Sequence, residues 1–572
     1  MKMRLMTLIS LLVLVGLLFT ACKPAATPTA APTTPPEATT PPEATPTPPP
    51  PEATTPPEAT PTPAPPEATP TPSKAGGEVI FAGWQNPDTL DPNATGLISA
   101  MKIDIHIFEP LVNFYEGKFY PGLATSWEVN EDSSVYTFHL RKGVKFQDGT
   151  DFNAKAVQVM FEHVLNPETK ALGAISSLGP YDHSEIIDDY TIKVYFKGPN
   201  AAFLLNQTGL MINSPANIEK WGHVEVGRHP VGTGPYKFVE WVEADHVTVE
   251  RWDEYNWAPE FFEHQGPAYI ERFTYKVIPE PATRVATLET GECNLIENVT
   301  PEDLKLFGQE PDKYTIYLPA SSGMPYAMWL NVTKPPTDDI KVRKAILYAA
   351  NQKEIVETLF PSMYEPAFTP LDPSTLGYDP SLKDMYQYDL EKAKALLEEA
   401  GWVDTNGDGI REKDGQPLQI AYIDLAGFGF EEMAVLLQAN LKKVGIDMVI
   451  TAESYPAVQD TYHAGKHNMC PFFFYFLDPV ALESLYSCDA IDRFNWSHIC
   501  KPEIDALIKE MYKVSDPDAR VKVIQDLQKV LMDEAFIIGL YEKRGVMVGV
   551  ANLKGLKFNV QAYPLYYDAY FE

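Results

Sequence analysis

An α/β architecture in more than one domain follows from two features of the chain. Its 572 residues are several times the size of a usual single domain. From residue 77 onward, strand-like and helix-like patterns interleave rather than segregate, which is the order expected of α/β lobes.

The N terminus precedes that fold. Lys2 and Arg4 lead into the uncharged apolar run 5–19 and then Thr20-Ala21-Cys22, the layout of an export signal over 1–21. The run is short for a membrane span, and small residues and a cysteine follow it rather than a stop-transfer charge cluster. Residues 22–76 form a spacer. Between 24 and 72 the chain is almost wholly Pro, Ala, Thr and Glu, with Pro-Pro-Glu-Ala-Thr recurring from Pro35, Pro41, Pro50, Pro56 and Pro65. Such a segment has no side chains with which to build a core. At about 3.1 Å per residue in polyproline form it reaches up to about 150 Å.

Folded sequence opens with the strand-like Val79-Ile80-Phe81-Ala82. Alternation predicts further strands at Tyr136–Leu140, Thr191–Phe196 and His246–Glu250. Helices are expected over 389–401, where Asp389 caps, Leu390, Ala393 and Leu397 share a face and Gly401 terminates, and over 339–350 and 502–514.

Charge excludes one class of partner. With 46 Lys and Arg against 78 Asp and Glu the formal charge is −32, which repels nucleic acid and offers no basic stripe. Aromatic residues are 12% of the chain, suited to a cleft for organic solutes, although ordinary packing accounts for most of them. After Cys22 four cysteines remain, Cys293, Cys470, Cys488 and Cys500, which permit three pairings; local spacing favours Cys488 with Cys500.

Catalytic patterns are missing from the sequence. It contains no His-Glu-x-x-His, no paired Cys-x-x-Cys and no Gly-x-Ser-x-Gly, so no catalytic metal, cofactor or nucleophile is expected. Asp404-Thr405-Asn406-Gly407-Asp408-Gly409 begins like a calcium loop, but the twelfth position is Gly415 rather than Glu; a plain Asx turn is the favoured reading, with an irregular site completed by Asp414 as the alternative.

Three segments carry a family resemblance. The first is Leu123-Ala124-Thr125-Ser126-Trp127-Glu128 with the stretch from Tyr136 through Arg141, Gly143 and Phe146 to Asp148-Gly149-Thr150; the second is Val231-Gly232-Thr233-Gly234-Pro235-Tyr236; the third is Ile340 to Ile346 with Asn351. Together with Ala400-Gly401-Trp402 and Asp478-Pro479 they resemble the bacterial extracellular solute-binding proteins of family 5, the oligopeptide, dipeptide and nickel class. Physically, Trp127 and Arg141 read as fold residues, and Gly232 and Gly234 as points of close backbone approach. The end of the signal resembles a bacterial lipobox with Cys22 as the lipid-bearing residue.

The resemblance implies a two-lobed periplasmic-binding-protein type II fold of three domains around a ligand cleft. Domain I would take 77–110, 228–322 and 541–572, domain II 111–227, and domain III, the second lobe, 323–540. It implies no enzyme but the binding component of an ABC importer, a monomer held to the membrane by its lipid outside the cell or in the periplasm. That component would capture a short peptide and hand it to the permease subunits. An oligosaccharide receptor of the same family, or a secreted hydrolase, is the alternative. Ligand contacts implied are Gly96 and Leu97 after Thr89-Leu90-Asp91-Pro92, and Phe472, Phe474, Tyr475 and Asp478 on a strand entering the pocket. Peptide binders commonly place an amine-binding Asp where this chain has Tyr475. Relatives that bind dipeptides also carry a disulfide placed like Cys488–Cys500.

Overall fold

The computed structural model describes residues 74–426 and 429–572. The export signal, Cys22 and the proline-rich segment up to residue 73 lie outside them. Three larger sheets organise the described residues. The first has seven strands in the order Tyr314–Tyr317, Met547–Val550, Leu295–Glu297, Glu78–Gly83, Arg272–Val277, His246–Arg251, Tyr236–Val242. Its central strand, Glu78–Gly83, runs parallel to both neighbours, and the other pairings are antiparallel. Fully buried Val79 and Phe81 make that strand's core face.

The second sheet is antiparallel, Ala124–Val129, Val135–Leu140, Thr191–Phe196, Tyr181–Asp188. Thr191–Phe196 alternates because one face packs and the other is wet: Ile192 and Val194 are fully buried while Thr191, Lys193 and Tyr195 are partly exposed. After this meander the chain turns at Gly143 and Gly149, with φ of 81° and 85°. Asp148 closes the second turn by accepting the Thr150 amide and hydroxyl.

The third sheet has the order Asp447–Glu453, Gln419–Leu425, Met469–Phe472, Tyr326–Leu330, Ile537–Tyr541. Helices cover it. Leu390–Glu399 starts at Asp389, whose side chain accepts the Lys392 amide, and buries Ala393 and Leu397; Gly401, at φ 87°, ends it. Ile340–Ala349 is capped by Asp339, and Pro502–Met511 starts with its proline in the first turn. These side chains join Trp329, Leu437, Ile504 and Leu527 in one core, while the first two sheets share a second core around Phe138, Phe161, Tyr236 and Phe273.

The chain passes between the first and third sheets twice, and the two passages lie side by side. Ala320 and Arg544 form an antiparallel bridge, flanked by Ser321 N–H donating to Lys543 O at 3.0 Å and Gly545 N–H to Pro319 O at 2.9 Å. Cys488 and Cys500 are disulfide-bonded; Cys293 and Cys470 are buried free thiols. No helix among the described residues is long and apolar enough to cross a membrane.

Candidate functional site

The strand Met469–Phe472 pairs with Tyr326–Leu330 until Phe472 meets Ala327, and there regular structure stops. The strand expected to run through residue 479 ends at Phe472. Beyond Phe472 the backbone carbonyls find other donors: Phe474 O accepts from Met324 N–H at 3.1 Å and Lys543 Nζ at 3.2 Å, and Phe476 O from the Ser322 hydroxyl at 3.0 Å. Residues 473–478 therefore leave the sheet as a fixed irregular segment.

That segment borders three cavities. One, of about 420 Å³, is lined by Trp84, Lys102 and Tyr563 from the side of the seven-stranded sheet, and by Tyr364, Tyr475 and Lys543 from the side of the five-stranded sheet. A narrower one of about 110 Å³ lies among Phe108, Glu109, Tyr255 and Phe261, with Leu477 entering. A third of about 410 Å³ runs from Ser176 and Asn206 to Tyr475 and Tyr512. The cavities of about 420 and 410 Å³ fall in the range of about 300–1,000 Å³ usual for small organic solutes.

Charge is concentrated where the two passages cross. Lys543 is buried; its Nζ donates to Ser322 O and Phe474 O, both at 3.2 Å, and stands 3.9 Å from Asp372 Oδ2. Loss of hydration pushes Lys543 down to about 7 and Asp372 up to about 8, each toward its neutral form. The same Nζ lies 3.4 Å from the centre of the Tyr475 ring. Next to it, Arg544 reaches Glu542 at 3.0 Å, and Glu542 also serves Lys383 at 3.3 Å. Across the cavity Lys102 is ion-paired with Glu297. Behind Tyr364 a stack of rings extends into the core of the five-stranded sheet: Tyr364–Tyr541 at 4.6 Å, Tyr541–Tyr326 at 4.5 Å, Tyr326–Phe473 at 4.5 Å.

The sequence profile of the bacterial extracellular solute-binding proteins, family 5 (middle region), matches residues 118–490. The chain belongs to this family. Among its relatives, the glutathione-binding protein GsiB of Escherichia coli O1:K1 / APEC is 29% identical over 488 residues, which make up 84% of this chain and 91% of GsiB. NikA from Brucella suis, solved in complex with Fe(III)-EDTA, superposes with a TM-score of 0.74 at 27% identity, over 87% of this chain and all, 100%, of NikA. DppA from Helicobacter pylori, an ABC transporter-associated periplasmic binding protein in complex with peptide STSA, gives a TM-score of 0.64 at 27% identity, over 87% and 99% of the two chains. This family-5 protein is thus an extracellular or periplasmic solute-binding component of an ABC importer, with the mixed α/β type II fold.

In the family-5 cleft the residues anticipated from the sequence separate into groups. Tyr475, 53% exposed, faces two cavities, and Phe474 lines one of them. Phe472 is buried against Trp329 and Trp496 at ring distances of 4.4 and 4.7 Å, a core position. Asp478 borders the third cavity, yet its two oxygens are held by Arg520 at 2.5 and 2.8 Å and one also caps Val480, so the carboxylate is committed to the fold. Gly96 is exposed and Leu97 half-buried at the start of helix Ile98–Ile107; of that turn it is Ile98 that lines the cavity. Asp404, Asp408 and Glu412 bring carboxylate oxygens within 4.8 Å of one another in an exposed loop, where Asp404 accepts the Gly407 and Gly409 amides.

Lys102, Lys543, Arg544 and Glu109 also line these cavities, outside the segments that carry the family resemblance. Buried Glu109 accepts from Tyr255 at 2.7 Å and from Trp257 and Thr233 at 2.8 Å; burial raises its carboxyl to about 7 against the pull of those three donors. This clamp fixes Gly232-Thr233-Gly234 against the end of helix Ile98–Ile107, where a Cβ on Gly232 would stand 2.0 Å from Ile107 O. The adjacent Lys543-Arg544-Gly545 after an apolar strand was the one sequence signal for the cationic site.

Proposed function

We propose that this binding protein captures a short peptide in the cleft and delivers it to the permease. The observation that carries this reading is a cavity of about 420 Å³ walled from both sheets and crossed at its floor by the two connecting passages. A solute there touches both halves, so binding favours their closed arrangement by its differential affinity for it. The glutathione-binding and peptide-bound relatives support a peptide of a few residues.

The same proposal assigns 77–110, 228–322 and 541–572 to domain I, 111–227 to domain II and 323–540 to domain III. The strands of the three sheets support it, since apart from Tyr541 each sheet falls within one of these divisions. It also holds the protein to the membrane as a monomer through lipid on Cys22, supported by the apolar run that ends in Thr20-Ala21-Cys22. A second reading, an oligosaccharide, is favoured by the rings of Trp84, Tyr364, Tyr475 and Tyr563 around one cavity.

Mass spectrometry of the solute released from purified, denatured protein separates the two. A peptide is expected, and incubation with that peptide should show binding without turnover. Recovery of a sugar would favour the second reading, and cleavage products would return the hydrolase alternative.

A further inference from the structure

We propose that the cavity of about 420 Å³ takes an anionic solute, whose carboxylate is received by Lys543 and Arg544. This rests on the reading of the cleft as the solute site and narrows what that solute is.

Three cations, Lys102, Lys543 and Arg544, line the cavity, and the one carboxylate among its lining residues, Glu297, is engaged by Lys102. In a chain of formal charge −32 this inversion is local and specific to the crossing. The two cations at the crossing are also incompletely matched. Glu542 is divided between Arg544 and Lys383. Arg544 Nε is buried with no acceptor, and Lys543 meets Asp372 at 3.9 Å, beyond hydrogen-bond reach. A half-buried guanidinium that lines the cavity beside a buried ammonium, its Glu542 partner shared with Lys383, is a receptor for a planar oxyanion.

Other solute groups fit worse. A ligand ammonium brought to Tyr475 would find that ring already facing Lys543 Nζ at 3.4 Å, and like charges would be forced together. A neutral sugar would leave the cationic charge of Lys543 and Arg544 without a counter-charge, which a carboxylate supplies.

Proton linkage supplies an independent readout. The titratable and charged groups around Lys543 are Asp372, itself raised to about 8, Tyr475, Glu542 and Arg544, and burial leaves Lys543 at about 7. An arriving carboxylate stabilises the charged ammonium, so binding near neutral pH should take up protons.

The test is calorimetry with glutathione, trialanine and Ala-Glu-Ala, each beside its carboxyl-blocked ester, with maltotriose as a neutral sugar. At least one free acid is expected to bind tenfold or more tighter than its ester, about 1.4 kcal/mol. Titrations in buffers of different ionisation enthalpy should show net proton uptake. Arg544→Gln should erase most of the acid-over-ester preference while thermal unfolding stays cooperative. Should Arg544→Gln fail to fold, the double change Lys543→Met with Asp372→Asn, which leaves no lone buried charge, is expected to give the same loss. Equal affinity for acid and ester, or tight binding of maltotriose alone, would overturn the anionic assignment and leave the cleft as the solute site. Recovery of no solute, with no member of the panel bound, would overturn both.

Discussion

Tyr475 and Asp478 stand three residues apart and do different work. Tyr475 covers a buried ammonium, so a peptide's own ammonium has no carboxylate to meet there. We expect a peptide and its N-acetylated form to bind with similar affinity by calorimetry. A tenfold or larger preference for the free amine, about 1.4 kcal/mol, would mean that another acid takes the amino group. Asp478 answers to Arg520 instead. Asp478→Asn should leave a buried guanidinium uncompensated and lower unfolding free energy by about 3–5 kcal/mol in denaturant titration, whatever the ligand. Near-native stability of that variant would show the pair to be dispensable. Both residues lie in one aromatic run of the sequence, and nothing in that run distinguishes the ring that faces the cleft from the carboxylate that ties down a helix. Their separation is set by Arg520, over forty positions away, and by Lys543, which approaches from the other passage.

At the level of single elements, local chemistry was legible where the chain itself supplies both halves of a contact. Asp389 and Asp339 cap their own helices, Asp148 closes its own turn, and Thr191–Phe196 alternates because its sheet has one wet face. The tail 473–478 was not legible. Its run of apolar rings satisfies a strand pattern, but its carbonyls bond to Met324, Lys543 and Ser322, partners invisible to periodicity. The loop before this strand gives a pH prediction. His467 is buried, bonded through Nε2 to Trp496 O at 2.7 Å, and burial lowers it to about 4 from 6.5. A depressed histidine stabilises the fold above its unfolded value and loses that stabilisation as pH falls. Between about pH 6.5 and 5 the parent should lose about 2 kcal/mol through this ring, and His467→Gln should not. Parallel pH slopes for the two proteins in chemical unfolding would refute it. The disulfide bounds a short loop, and Cys488→Ser with Cys500→Ser should cost about 3 kcal/mol in the same assay.

For the molecule as a whole, the α/β class and the interleaved order of its elements were readable from patterning, and the family from three separated segments. The cleft was not, because Trp84, Lys102, Tyr364, Tyr475, Lys543 and Tyr563 come from six places in the chain and meet once the sheets are assembled. The proposed attachment belongs to this scale too. Cys22→Ser should move the protein from the membrane pellet to the soluble fraction, and unchanged retention in the pellet would argue against lipid at that residue.

Finally, the paired passages at Ala320 and Arg544 act as two pins on one door. A single tether would let the halves swivel about any axis; two, bonded to each other by backbone amides, resist twisting and leave one easy direction of travel. A permease docking with such a partner has one coordinate to sense. One pair of spin labels, placed across the cleft mouth, should therefore report the whole opening motion, and a second pair in a perpendicular direction should add no independent distance change.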